Sequence, residues 1–209
     1  MRKITRERQI IIAARVASML FTPFYLPILG LVALFFLSTL NQYPFGYKFN
    51  VLAVVYFFTI LLPTFLIHLY RNYQGWTPIE LGSRERRIVP YLISILSYFV
   101  CFYIMGLMHI PFFMRSIVAS ALIIQIVCAI VNSWWKISTH TAGIGGVAGA
   151  LLVFSDIFRF NPTWWMCFVI VVAGILGTSR MLLRQHTLPQ VLAGFFTGFA
   201  CAILAILKL

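Results

Sequence analysis

Long apolar runs, broken by proline, glycine and charged positions, occupy most of the chain. They cover residues 19–40, 49–70, 88–108, 112–134, 141–158, 162–178 and 187–207. Because about 20 apolar residues in an α-helix cross the ~30 Å hydrocarbon core of a bilayer, the pattern predicts an all-α, polytopic membrane helix bundle. We expect seven transmembrane helices, or six if one short run does not cross.

The first eighteen residues follow a different pattern. Apolar positions such as Ile10 and Ile11 alternate there with Arg6, Arg8 and Arg15. This mixture predicts a helix over residues 1–18 that lies in the membrane interface before the first crossing. A short apolar core followed by a small-residue cleavage site is missing, so we do not expect a cleaved signal peptide.

The composition agrees with a membrane location and with one structural unit. Of the 209 residues, 62% are hydrophobic and 10% are charged, which excludes an ordinary soluble domain. Seven crossings with short loops leave no length for an extramembrane domain, so we predict a single domain over 1–209. In the fifth run, small residues at four-residue spacing predict close packing on a neighbouring helix: Ala142, Gly146 and Ala150, with Gly145 and Gly149 beside them.

The charge is strongly positive, with 16 basic and 4 acidic residues and a net charge of +12. Most of the basic residues lie at the ends of apolar runs, which favours anionic lipid or phosphate as the partner and argues against nucleic acid. The positive-inside bias of cytoplasmic loops is the alternative explanation. The four cysteines lie far apart inside apolar runs, which is typical of small buried hydrophobic residues.

Three polar stretches, residues 71–90, 132–143 and 178–190, are each separated from the next by two apolar runs. An even number of crossings returns the chain to the same side, so all three stretches are predicted on one membrane face. That face gathers a cluster of cations and histidines: Arg84, Arg86, Arg87, Lys136, His140, Arg180, Arg184 and His186. Arginine forks and histidines are the groups that bind phosphate and transfer protons.

Both histidines of this cluster are predicted at helix N-termini. His140 follows Ser138, a residue suited to the N-cap, and His186 precedes a helix opened by Thr187 and Pro189. Free backbone N–H groups and the helix dipole favour an anion at such positions.

These residues resemble the signatures of the type 2 phosphatidic acid phosphatase superfamily. Ser179-Arg180, five residues, His186, three residues and Gln190 resemble its third signature, Ser-Arg-x5-His-x3-Asp. Residues 137–140 (Ile-Ser-Thr-His) resemble its second, Pro-Ser-Gly-His, and residues 84–90 resemble a degenerate form of its first, Lys-x6-Arg-Pro. The resemblance covers residues 84–190, about half of the chain, as the motif core.

The resemblance implies a metal-independent lipid phosphate phosphatase that works through a phosphohistidine and needs no cofactor. His186 would attack phosphorus, and His140 would protonate the leaving lipid oxygen and later activate water. Arg180 would clamp the phosphoryl oxygens. Further phosphate contacts are expected from Arg84, Arg86, Arg87, Lys136, Ser138, Thr139 and Ser179. The scarcity of carboxylates on this face independently argues against a bound divalent metal.

The chain departs from the family pattern at three places. Gln190 replaces the aspartate that orients the nucleophile; its side-chain oxygen can accept the imidazole N–H but lacks the charge that stabilises an imidazolium. Val89 replaces the arginine before Pro90 in the first signature. Ile137 and Thr139 replace the proline and glycine of the second, which changes how closely the backbone approaches phosphate.

Several functions remain open from the sequence. A lipid phosphatase would act on phosphatidic acid, phosphatidylglycerol phosphate, an undecaprenyl diphosphate or a lipid A phosphate. A non-catalytic phospholipid-binding or assembly protein on the same scaffold is the second hypothesis, favoured by Gln190. A small transporter is the third, with Arg115 and His68 as its intramembrane charges.

Location and assembly are also left open. We expect an integral protein of a bacterial inner membrane. The resemblance implies a site on the extracytoplasmic face, which we favour, whereas the basic N-terminus, interpreted by the positive-inside rule, puts the site in the cytoplasm. The oligomeric state does not follow from the sequence.

Overall fold

The computed structural model describes residues 2–37, 42–75 and 88–208, and this part of the chain contains helices and no β-strand. The helices are α1 (Arg2–Leu20), α2 (Leu26–Leu37), α3 (Phe45–Tyr56), α4 (Leu62–Gln74), α5 (Ile88–Leu107), α6 (Phe112–Asn132), α7 (Thr139–Ile157), α8 (Thr163–Leu182) and α9 (Leu188–Lys208). A π-helical turn, Phe57–Leu61, joins α3 and α4 into one continuous helix.

Six of the described helices are long and apolar enough to cross a membrane. They are Phe45–Gln74, Ile88–Leu107, Phe112–Asn132, Thr139–Ile157, Thr163–Leu182 and Leu188–Lys208. This confirms the predicted all-α polytopic bundle. The described residues contain six long membrane helices, the lower of the two numbers that we expected.

The predicted first crossing helix over residues 19–40 is wrong as a single helix. Helix α1 continues to Leu20, the chain turns over residues 21–25, and α2 begins at Leu26. Pro23 explains the break, because proline lacks the N–H of the helical ladder and disfavours the α conformation of the residue before it. With 12 residues, α2 is about 18 Å long, short of the membrane core. Residues 38–40 of this run lie outside the described part.

The π-helical turn has a local cause in Pro63. In a regular α-helix the proline ring would clash with the carbonyl of Thr59, four residues earlier. The helix widens just before the proline, and the Leu62 N–H donates to the Phe57 carbonyl five residues back. The Thr59 hydroxyl donates to the Val55 carbonyl at 2.7 Å, so this buried side chain is satisfied within its own helix.

The outer surface of the bundle is apolar. Along α5, for example, Leu92, Leu96, Phe99 and Tyr103 are all more than half exposed on one face. An apolar stripe of this length requires a hydrocarbon environment, because soluble proteins seldom expose such continuous surface. Exposed tryptophans occur at both ends of the bundle, in the α6–α7 connection and at the start of α8, as in the aromatic belts of membrane proteins. The protein is therefore an integral membrane protein.

The second and third polar stretches lie at the same end of the bundle, where α6 and α8 stop and α7 and α9 begin. We call this end the polar end. Tyr91, in the first turn of α5, packs there with Cys128, Ile137 and Ala142. The described end of the first polar stretch therefore lies at the same end as the second and third, as crossing parity predicts.

The most extensive helix contact in the described part of the chain joins α7 and α9, which run parallel. A Cβ atom on Gly198 would overlap the Ala142 carbonyl, one on Gly145 would overlap the Phe195 carbonyl, and one on Gly149 would lie 2.5 Å from the Phe199 carbonyl oxygen. The glycines thus allow backbone-to-backbone contact. Of the small residues predicted to pack closely, Ala142, Gly145 and Gly149 contact α9. A Cβ on Gly146 would meet the Ile124 side chain of α6 first.

Replacement of Gly198 by alanine should destabilise the bundle, because the added methyl forces α9 away from the α7 backbone. Overpacking of this kind costs about 1–3 kcal/mol, which for a chain of this size lowers the melting temperature by roughly 2–12 °C. Thermal unfolding in detergent measures the effect. Gly174→Ala is the matched control, since a Cβ there meets nothing within 4 Å; an equal loss in both variants would contradict the contact.

Candidate active site

The second and third polar stretches meet at the polar end through one backbone hydrogen bond. The Ser138 N–H, at the start of α7, donates to the Gln190 carbonyl, in the first turn of α9, at 3.3 Å. A Cβ on Gly194 would lie 2.5 Å from the Ser138 carbonyl oxygen, so the two helix starts are in direct contact. The two stretches that carry predicted site residues are therefore adjacent at their helix starts.

Ser138 caps α7, as predicted. Its hydroxyl oxygen accepts the Thr141 N–H at 3.4 Å, and its carbonyl accepts the Ala142 N–H at 3.0 Å and the Thr141 hydroxyl at 3.1 Å. The Ser138 side chain is fully buried, so this network is shielded from competing solvent. His140 is the second residue of the capped helix and is half-buried.

The turn between α8 and α9 is closed by the carbonyl of Arg180. This oxygen accepts the Gln185 N–H at 3.1 Å and the His186 N–H at 3.4 Å. Arg184 adopts a φ of 53° within the turn, a left-handed conformation that costs a non-glycine residue roughly 1–2 kcal/mol. The backbone of Arg180 thus positions the histidine that follows it, and the Arg180 and His186 side chains are both buried.

Gln190 determines which nitrogen of His186 carries hydrogen. The Gln190 side-chain oxygen accepts the Thr187 N–H at 3.2 Å and lies 3.2 Å from His186 Nδ1. Because a backbone N–H is always a donor, the atom that faces it is the amide oxygen, and the same oxygen requires a hydrogen on Nδ1. In the neutral imidazole this tautomer carries no hydrogen on Nε2.

The Arg180 guanidinium contacts a residue that the sequence did not single out. Arg180 Nη1 donates to the Ser18 hydroxyl of α1 at 2.5 Å, across 162 residues of sequence. Ser18 and Ala14 are the buried small residues of a helix whose remaining described side chains are largely exposed. The sequence feature that could have predicted this contact is the pair of small residues, Ala14 and Ser18, spaced four apart, because small residues at this spacing mark a helix face that packs on another helix.

The other residues predicted to contact phosphate differ in their position and in the hydrogen bonds that they make. The Ser179 hydroxyl donates to the Ile175 carbonyl of its own helix at 2.7 Å, so its proton is already used. Lys136 and Thr139 lie half-buried beside the start of α7. Arg84, Arg86 and Arg87, the basic residues of the first signature, lie outside the described residues, and their phosphate-binding role remains a prediction.

The electrostatics of the polar end favour an anion. Helices α7 and α9 are parallel, so their two N-termini and positive dipole ends lie side by side. The buried Arg180 adds a full positive charge. Among the residues that the structure describes, no cluster of three His, Cys, Asp or Glu side chains could hold a metal ion. Such an arrangement can bind a phosphoryl group through arginine and backbone N–H groups.

The two side chains considered for transport lie elsewhere. Arg115, at the start of α6, packs its guanidinium 4.6 Å from the Phe102 ring centre, at the opposite end from the site. His68 lies exposed on α4 within 3.0 Å of Arg71 Nη2 and Asn72 Nδ2. They do not form a common path in the described structure, and transport remains an untested alternative.

Comparison with known proteins identifies a family. The model of the PAP2 superfamily matches residues 93–208. The matched segment includes both hydrogen-bonded motifs and leaves out α1, α2 and the first signature. No match was found among curated proteins or among solved structures.

We expect Gln190→Leu to change the tautomer of neutral His186, because an apolar side chain no longer requires hydrogen on Nδ1. Imidazole ¹⁵N chemical shifts of the detergent-solubilised protein, assigned with His186→Ala, report the ratio of the two tautomers. Gln185→Leu is the control, since Gln185 is exposed and directly precedes His186. An unchanged Nδ1–H population in Gln190→Leu would contradict the assigned hydrogen bond.

Proposed function

Because the chain belongs to the PAP2 superfamily, whose members are generally phosphatases, we propose that it removes phosphate from a membrane-embedded lipid phosphate or diphosphate through a phosphohistidine. The observation that carries this proposal is the hydrogen bond between His186 Nδ1 and Gln190, beside the buried Arg180. A neutral imidazole held in this tautomer presents an Nε2 lone pair, which is what a nucleophile at phosphorus requires.

The first step transfers the phosphoryl group to the protein. His186 Nε2 forms a bond to phosphorus while the bond from phosphorus to the leaving oxygen breaks. His140 donates a proton to that oxygen, which leaves as the lipid alcohol or, from a diphosphate, as the lipid monophosphate. His140 is suited to this role because it lies on the helix start that is hydrogen-bonded to α9.

The second step returns the protein to its starting state. Water, losing a proton to His140, attacks phosphorus, and the phosphorus–Nε2 bond breaks to release inorganic phosphate. Both steps pass through a transition state with negative charge on the phosphoryl oxygens. Arg180, Lys136 and the two helix N-termini supply the compensating positive charge, so the proposed chemistry requires no metal.

Gln190 is the residue that fits this mechanism least well, because its side chain is neutral. During the first step His186 becomes positively charged, and an aspartate in place of Gln190 would stabilise that charge, whereas the amide contributes only a dipole. A charge-assisted hydrogen bond is roughly twice as strong as a neutral one. The amide thus favours the required tautomer but lowers the reactivity of the phosphohistidine site.

A non-catalytic phospholipid-binding or assembly protein is the second candidate, and the neutral amide of Gln190 is the observation that favours it. The buried Arg180 and the paired helix N-termini serve phosphate binding equally well without turnover. In that case vesicles containing phosphatidic acid would bind the purified protein, yet only a Gln190→Asp variant would release phosphate.

The central prediction is release of inorganic phosphate in the presence of EDTA from phosphatidic acid, phosphatidylglycerol phosphate, undecaprenyl diphosphate or a lipid A phosphate. His186→Ala should abolish release, and His140→Ala should slow it by about 10²- to 10⁴-fold, the usual contribution of general acid–base catalysis. Gln185→Ala is the control and should keep full activity. Wild-type protein that is inactive on all four lipids would exclude the enzyme among these substrates.

We further propose that the site faces the extracytoplasmic side of a bacterial inner membrane. Gln74 ends α4 and is exposed on the side of the bundle where α5 begins, whereas Asp156 is exposed at the opposite end of α7. In a background without the native cysteines, an impermeant thiol reagent should label Gln74→Cys in intact cells and Asp156→Cys only after permeabilisation. The reverse pattern would place the site in the cytoplasm.

A further inference from the structure

A long apolar cavity lies against α7. Its volume is about 620 Å³, and its walls come from α2, α6, α7 and α8. Typical lining side chains are Leu26, Leu34, Ile117, Val147, Phe168 and Val172. The volume lies within the range of pockets that bind small ligands, but the lining is far more apolar than a site for a polar ligand.

The cavity begins at the candidate active site. Thr139, which lines it, directly precedes His140. From Thr139 the lining continues along α7 to Phe154, 15 residues further on, which corresponds to about 22 Å at 1.5 Å per residue. This length exceeds half of the ~30 Å hydrocarbon core. The cavity therefore extends from the start of α7, at Thr139, into the far half of the membrane.

Polar groups along this path are few. The Ser120 hydroxyl donates to the Ser116 carbonyl at 2.6 Å. The Gln125 side-chain oxygen is buried and has no hydrogen-bond partner among the described residues. The Thr139 hydroxyl and the Trp165 indole N–H are the other strong hydrogen-bonding groups of the lining. A hydrocarbon chain fits such a lining, because it packs against apolar side chains as it does against neighbouring lipid chains, and it has no polar group of its own that the lining would leave unsatisfied.

Helix α2 makes one wall of this cavity and lies outside the matched family segment, which starts at residue 93. Gly143 of α7 allows the Leu26 side chain to lie directly against it. On its other side, α2 is anchored in the core by the buried Leu31 and Phe35, which pack with Val51 and Val55 of α3. The wall is thus a fixed part of the bundle.

We propose that this cavity, defined by α2, α6, α7 and α8, binds one long hydrocarbon chain of the lipid phosphate whose headgroup lies at His140 and His186. The assignment rests on the proposed function and narrows its substrates to lipids with a chain that extends past Ala150. Ala150 lines the cavity 11 residues, or about 16 Å, below Thr139. A phenylalanine at this position would close the far part of the cavity and leave the headgroup end unchanged.

The kinetic test compares hexyl phosphate with octadecyl phosphate as substrates of Ala150→Phe. The short chain ends above Ala150, so its kcat/KM should stay within about twofold of wild type, which also shows that the variant folds. The long chain should lose at least about tenfold, equivalent to ~1.4 kcal/mol. Ala200→Phe carries the same substitution on an exposed face of α9 outside the cavity and is the matched control. Equal effects of the two variants on octadecyl phosphate would overturn the proposal.

Photo-crosslinking separates this proposal from the proposed phosphatase activity. An octadecyl phosphate probe with a diazirine near the chain end should label α2, α7 or α8 of the inactive His186→Ala protein at cavity-lining positions. Excess octadecyl phosphate should compete, and octadecanol should not. Such labelling without phosphate release by wild-type protein would retain the chain site and reject the enzyme. Labelling confined to outer surfaces would reject the chain site. Equal competition by octadecanol would show that the phosphate does not anchor the ligand at His140 and His186, and would overturn the proposal in that respect.

Discussion

Backbone contact between the parallel helices α7 and α9 is the constraint on which the rest of the site depends. Gly145 and Gly149 on one helix, with Gly194 and Gly198 on the other, leave no side chain between the two backbones. Close packing of this kind replaces the hydrophobic effect as the source of helix association in lipid. It also sets the two helix starts side by side, where the Ser138 N–H reaches the Gln190 carbonyl.

This arrangement carries an electrostatic cost that a bound anion offsets. Two parallel dipoles place their positive ends together, and the buried Arg180 adds a full charge to the same region. A phosphoryl group is attracted to all three. Gln190 contacts both helix starts. Its backbone carbonyl accepts a hydrogen bond from Ser138 of α7, and its side-chain oxygen accepts one from His186. Its neutral amide orients the histidine without the charge that the family's aspartate would contribute.

The first 37 residues extend the site beyond the segment matched to the family. Helix α1 brings Ser18 to the guanidinium of Arg180, so the conformation of the proposed phosphate clamp depends on a helix outside that segment. Helix α2 is too short to cross a bilayer alone, yet it contributes to the core and to the wall of the apolar cavity. The proposed headgroup site and the proposed chain site therefore both contact the N-terminal part of the protein.

The sequence by itself determined the features that depend on composition and local spacing: the long apolar helices, the Ser138 cap, and the contact of Gln190 with His186 one helical turn away. Tertiary structure alone decided that α9 is the partner of the α7 glycines and that Ser18 meets Arg180. It also showed that the described part of the run over 19–40 is divided between α1 and α2, with a turn at Pro23. The physical reason is the distance along the chain over which each interaction acts. Hydropathy, capping and i,i+4 bonds are set by neighbours in the chain, whereas shape complementarity between distant backbones exists only once the helices pack.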